Sequence, residues 1–132
     1  MHIVIIMGSE SDRFHAEKIT PKFEEEKIPY TTYAASAHKQ PLRVLEIIKE
    51  WDEQPVIYIT IAGRSNALSG FVGANSTKPV IACPPFADKT DMLVNIHSTL
   101  QMPSSTPVLT VLDPGNAALA ALRIIRLADG RS

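Results

Sequence analysis

The sequence predicts an α/β fold, a flavodoxin-like three-layer αβα sandwich around a five-stranded parallel sheet. Three observations lead there. Short apolar runs alternate along the chain with longer segments of helical period, the pattern of successive βαβ units. Several of those runs are apolar throughout, as strands covered on both faces are. The final helical segment opens on Asp113-Pro114, a capping residue followed by a proline suited to a first helical turn.

The strand expectations are residues 2–7, 30–35, 56–61, 79–83 and 107–112, all enriched in Val, Ile, Thr or Tyr. Helices are expected over 12–27, 41–52, 66–75, 88–100 and 114–127. In the second of these, Leu42, Leu45 and Ile48 recur at helical spacing behind Pro41. Pro21 falls inside the first, where a missing N–H and a ring clash predict a kink or a split.

A length of 132 residues fits one domain over 1–132. A formal charge of −1 gives no electrostatic footprint for nucleic acid or an anionic membrane, so neither is expected as a partner. The single cysteine, Cys83, excludes an intrachain disulfide and fits a reducing, cytoplasmic compartment. The apolar run 3–7 is far too short to span a bilayer. His2, His15 and His97 sit at a strand start or within helices and form no metal-ligand spacing with Cys83, so no metal is expected. Cys83 itself reads as buried filler.

In an open parallel sheet a ligand binds beyond the carboxyl ends of the strands, at the switch point. The loops leaving those ends are residues 8–12, 36–41, 62–66 and 84–89. In the first, Gly8 admits a ligand close to the backbone, Ser9 and Ser11 offer hydroxyl donors, and Asp12 suits ribose hydroxyls better than phosphate. Ser11 or Asp12 serving only as a helix cap accounts for the same residues equally well. The second loop carries Ser36, His38 and Lys39. Imidazole, with an ordinary pKa of about 6.5, transfers protons either way near neutrality, and Lys39 supplies a point charge for phosphate or carboxylate. An isolated loop histidine is more often simply exposed. The third loop, Ala62-Gly63-Arg64-Ser65-Asn66, brings small residues, backbone amides and one forked cation, which would clamp a carboxylate or pair with a nearby acid.

Met7-Gly8-Ser9-x-Ser11-Asp12, Ser36-Ala37-His38-Lys39, Ala62-Gly63-Arg64-Ser65-Asn66 and Gln101-Met102-Pro103, in that order, make the chain resemble the phosphoribosylaminoimidazole carboxylase (PurE) family. The Ala-Gly-Arg-Ser-Asn loop followed by Cys83-Pro84-Pro85 is similar to the class II branch, which carboxylates aminoimidazole ribonucleotide with CO2 directly. The class I branch, a mutase of the N5-carboxylated ribonucleotide, normally has a histidine where this chain has Ala67. Ser104-Ser105 stands where relatives usually show Ser-Gly, and the chain given ends at Ser132, where many relatives add a helix.

The resemblance implies His38 as acid/base. It implies a substrate-binding set of Gly8, Ser9, Ser11, Asp12, Ser36, Lys39, Ala62, Gly63, Arg64 and Ser65, with Ser9, Ser11, Asp12, Ser36 and Lys39 at the ribose phosphate end. Residues 62–64 would line the ring and CO2 side. It also implies a homo-oligomer, octamer or tetramer, and no cofactor, because an amino-substituted imidazole is already nucleophilic at C4. The rival expectations are the class I mutase, a related carboxylase of a nicotinic acid dinucleotide, and a non-catalytic phosphate-binding domain.

Overall fold

Alternation along β1 (His2–Met7) sends Ile3, Ile5 and Met7 to one face of the sheet and Val4 and Ile6 to the other, and all five are fully buried. Such a strand needs cover on both sides. The computed structural model, which describes residues 1–130, shows how the chain supplies it.

The remaining strands are β2 (Tyr30–Ala34), β3 (Val56–Ile61), β4 (Val80–Ala82) and β5 (Leu109–Thr110). They pair in the order β2-β1-β3-β4-β5, every pair parallel. The helices are α1 (Arg13–Ala16), α2 (Thr20–Glu25), α3 (Pro41–Trp51), α4 (Leu68–Asn75), α5 (Lys89–Leu100) and α6 (Pro114–Ala128). Ala16, Phe23, Ala117, Ala121 and Ile125 bring α1, α2 and α6 onto the Ile3 face. Val44, Ile47, Ile48, Leu68 and Val72 bring α3 and α4 onto the Val4 face. The predicted three-layer sandwich is therefore the observed one.

Several boundaries differ from expectation, each for a local reason. Pro21 splits the first helix outright: α1 ends at Ala16, and the proline occupies the first turn of α2, where its missing N–H is harmless. Lys27, at φ 57°, then closes α2, with the Ile28 N–H donating to the Phe23 carbonyl at 2.8 Å. The fourth strand is trimmed to three residues between Pro79 and Pro84, neither of which can donate to a ladder. The fifth shrinks to two residues at the sheet edge behind Pro107, although the Val111 N–H still reaches Ala82. Helix α4 starts two residues later than predicted because Asn66 is used otherwise, as described below.

Two features set the position of the loops. Met7 pairs with both Ala34 and Ile61, so the chain leaves β1, β2 and β3 at one level. The order reverses on either side of β1, which places the switch point there. Gly73 lets α4 press on the segment entering β5: a Cβ there would stand 2.8 Å from Val108 Cγ2 and 3.1 Å from Thr106 Cγ2. Among the described residues no helix is long and apolar enough to cross a membrane.

Candidate active site

The first loop is tied to the sheet at once, as the Gly8 N–H donates to the Ile61 carbonyl at 2.8 Å. Ser9 then closes a short 3-10 turn, Glu10–Asp12: its Oγ accepts from the Ser11 N–H and lies 2.9 Å from the Ser11 hydroxyl, while its carbonyl accepts from the Asp12 N–H. The capping residue is thus Ser9, not the Ser11 or Asp12 that the sequence offered. The helix that follows has only four residues, so it lacks the strong dipole end expected of a segment spanning 12–27. Asp12 caps nothing and is half-buried; burial raises its carboxyl above the ordinary range, opposed by a hydrogen bond from the Ser9 backbone.

The second loop is an equally local construction. Ser36 Oγ accepts from the Lys39 N–H at 3.2 Å, the Ser36 carbonyl accepts from the Gln40 N–H at 2.7 Å, and Pro41 begins α3. This turn presents His38 and Lys39 on its exposed side. The ring of His38 reaches the third loop, its Nε2 donating to the Ser65 carbonyl at 3.3 Å.

The third loop is held from beneath. The Asn66 side chain is buried; its Oδ1 accepts from the Ser69 N–H at 3.1 Å and its Nδ2 donates to Ser69 Oγ at 2.9 Å and Thr99 Oγ1 at 3.0 Å. Its backbone N–H donates to Ser98 Oγ at 3.0 Å. Thr60 and Ser69 hydroxyls meet at 2.7 Å below it. Asn66 is therefore a cap and a clasp to α5 rather than the first residue of a helix, and the Arg64–Ser65 peptide above it is cis.

These three loops enclose a cavity of about 240 Å³. Its wall holds His38 together with Gly8, Ser9, Asp12, Ser36, Lys39, Ala62, Gly63, Arg64 and Ser65. Ser11 is not in the wall; it is exposed and reaches the cavity only through its contact with Ser9. Ala37, Ala67 and Leu68 also line the space and were not in the expected set. The apolar Ala37 and Leu68 carry no chemical signal that would have singled them out, whereas Ala67 is the position already compared with the class I histidine. Arg64 is exposed and takes part in none of the ion pairs among the described residues.

Other singled-out residues lie elsewhere. Cys83 is buried 3.5 Å from His15 Nε2, and burial, with Asp113 nearby, pushes its thiol up to about 12, so it is no nucleophile near neutrality. His15, also buried, has its pKa lowered by burial and by Lys18. Met102 of the Gln-Met-Pro motif packs on α4, its Sδ 3.2 Å from where a Cβ on Gly70 would be.

Comparison with known proteins shows the family. The family described as AIR carboxylase matches residues 2–131. A phosphoribosylaminoimidazole carboxylase of Archaeoglobus fulgidus is 50% identical over 129 residues, covering 98% of this chain and 71% of that protein. An N5-carboxyaminoimidazole ribonucleotide mutase of Methanocaldococcus jannaschii is 45% identical over 129 residues, covering 96% of this chain and 80% of that protein. The crystal structure of Treponema denticola PurE superposes with a TM-score of 0.88 at 45% identity, covering 96% of this chain and 80% of that one. The chain belongs to the AIR carboxylase (PurE) family.

Proposed function

We propose that this protein adds CO2 to C4 of 5-aminoimidazole ribonucleotide, giving the 4-carboxylated nucleotide of purine biosynthesis. One observation carries the reading: His38 shares a single cavity wall with Ser9, Asp12, Ser36, Lys39 and Arg64, at the carboxyl ends of three adjacent parallel strands.

The substrate's amino group pushes electron density onto C4, so the ring attacks CO2 without activation by ATP, biotin or a metal. What the protein has to supply is placement and a proton carrier. Ser9, Ser36 and Lys39 hold the phosphate and Asp12 accepts from the ribose hydroxyls; this remote binding energy orients C4. Attack forms the C4–carboxylate bond and leaves a tetrahedral C4 that still bears its hydrogen. His38 takes that proton, the C–H electron pair returns to the ring, and aromaticity is restored. With Nε2–H directed at Ser65, the accepting lone pair is on Nδ1. Arg64 and the loop amides offset the charge that grows on the new carboxylate.

Two findings support direct carboxylation over the mutase reaction. The Archaeoglobus and Treponema relatives are both named as carboxylases. Ala67 also puts a methyl group in the cavity wall at the position where the class I branch has its histidine. The name of the Methanocaldococcus relative favours the mutase reading.

The test is ultraviolet detection of carboxylation by the wild-type protein. Aminoimidazole ribonucleotide plus bicarbonate should be turned over, and N5-carboxylated substrate should give no faster rate. Turnover of the N5-carboxylated substrate alone would replace this reading with the mutase. Turnover of a nicotinic acid dinucleotide alone would point to the pyridinium carboxylase, and binding without turnover of anything to a non-catalytic domain. The reading also places the enzyme in the cytoplasm as a homo-oligomer of four or eight copies, measurable by sedimentation. Exposed Phe14, Leu93, Val94 and Leu100 supply apolar surface for such contacts.

A further inference from the structure

The peptide group between Ser65 and Asn66 is engaged on both sides. Its carbonyl accepts from His38 Nε2 at 3.3 Å and from the Ala67 N–H at 3.0 Å, which fills both lone pairs. The group is planar and trans, so its N–H points the other way, and it donates to Ser98 Oγ at 3.0 Å. Ser98, half-buried on α5, gives its own hydrogen to the Asn95 carbonyl at 3.2 Å. A helical serine bonded to the carbonyl three residues back is commonplace by itself. This one also holds a loop 32 residues away, at the one peptide whose far end touches the imidazole.

The chain of hydrogen bonds has a single possible direction. A backbone carbonyl only accepts and a backbone N–H only donates, so the Ser98 hydroxyl must accept from Asn66 and donate to Asn95. By the same rule the Ser65 carbonyl demands a hydrogen on His38 Nε2, which leaves the free lone pair on Nδ1. Bonds linked head to tail polarise one another, so the engaged N–H makes the Ser65 carbonyl a better acceptor. His38 is exposed, and its orientation is set by this bond rather than by packing. The Asn66 side chain is held separately, by Ser69 and Thr99, which leaves the peptide plane to Ser98.

We propose that Ser98 is a positioning residue for the proton transfer: through the Ser65–Asn66 peptide its hydroxyl fixes the orientation and the tautomer of His38. The inference rests on the carboxylase reading, in which Nδ1 takes the proton from C4. Without the hydroxyl, the N–H of buried Asn66 has no partner, and the peptide turns to find one. The carbonyl then leaves the imidazole, whose hydrogen divides between the two nitrogens, and bound substrate meets a free Nδ1 less often.

Steady-state kinetics with aminoimidazole ribonucleotide and bicarbonate, together with imidazole 15N spectra of the protein alone, decide it. The spectra are taken at alkaline pH, where imidazole is neutral, and the His38 signals are those absent from His38→Asn. Ser98→Ala should lower kcat about three- to tenfold while KM for the nucleotide stays within about twofold. Its His38 signals should change from the single Nε2–H form of the wild type to a mixture of tautomers. Ser98→Thr, which keeps the hydroxyl, should recover both the kcat and the single form. Ser98→Cys keeps the volume with a much weaker acceptor and replaces the alanine variant if that one does not fold. The inference is overturned if Ser98→Ala keeps the wild-type kcat and tautomer, if KM rises while kcat holds, or if Ser98→Thr behaves as the alanine variant does. Failure of the carboxylase reading looks different: the wild type would then turn over no aminoimidazole ribonucleotide, and the spectra, which need no substrate, would still decide the role of Ser98.

Discussion

Ser9 and Ser36 organise the first two loops with hydrogen bonds that reach only two to four residues along the chain, whereas Asn66 holds the third loop through Ser98 and Thr99, 32 and 33 residues away. The first two loops are therefore built from within and the third from outside, by a helix that belongs to a later βαβ unit. That difference assigns separate work. The locally built turns present the Ser9 and Ser36 hydroxyls, Lys39 and His38. The externally clasped loop supplies the wall that His38 leans on, through the Ser65 carbonyl. Damage to α5 should consequently reach the site through the third loop and spare the first two.

The sharpest way to break the comparison is to cut the clasp. Asn66→Ala leaves the buried Ser69 N–H and the Thr99 hydroxyl short of partners and should cost about 2–4 kcal/mol in urea unfolding. Ser9→Ala, which removes a local cap, should cost only about 0.5–1 kcal/mol. Equal losses would mean that the two kinds of loop are not held differently. Gly73→Ala probes the packing that positions α4 behind the third loop. Its Cβ would meet Val108 within 2.8 Å, and overpacking of that kind should cost about 1–3 kcal/mol without changing substrate affinity in the surviving native fraction.

A smaller effect, of opposite sign, is expected at Ser105, which holds φ 61° where the resembling family usually has glycine. Ser105→Gly should stabilise by about 0.5–1 kcal/mol, and a loss of stability would contradict the strain argument. The smallest effect is one of pH. Burial keeps the Asp12 carboxyl above its ordinary range, so the native state holds that proton to higher pH than the unfolded chain does. Its stabilising contribution is complete below the unfolded value, about 4, and is lost as pH rises through the native one. Asp12→Asn should therefore gain in thermal midpoint relative to wild type between pH 4 and 7, while binding aminoimidazole ribonucleotide more weakly. A variant that instead loses stability over that range would show that Asp12 is held by partners rather than strained by burial.

The same contrast explains what could be read in advance. Binary patterning located every strand and the switch-point crevice, because β1 is apolar from Ile3 to Met7, β3 is apolar but for Thr60, and Pro41 and Asp113-Pro114 mark helix starts locally. Residues of the first two loops were legible for the same reason, since their turn chemistry lies within a few positions. Ser11 lies outside the cavity wall, its hydroxyl turned to Ser9. Asn66 and Ser98 were not legible as a clasp and its anchor, for they are brought together by the fold rather than by the chain. The Asn66-x-x-Ser69 spacing was the one local hint, a capping pattern that a helix drawn from residue 66 obscured. Pro21 announced a break, and the structure made it a new helix start.

The most direct test of the central claim, that the imidazole at position 38 is the proton carrier of the cavity, is carboxylation of aminoimidazole ribonucleotide by His38→Asn, with binding of the nucleotide measured on the same sample. The account predicts a variant that folds, binds within about threefold of wild type and loses roughly 100-fold or more of its turnover. Turnover close to wild type, with binding intact, would contradict it.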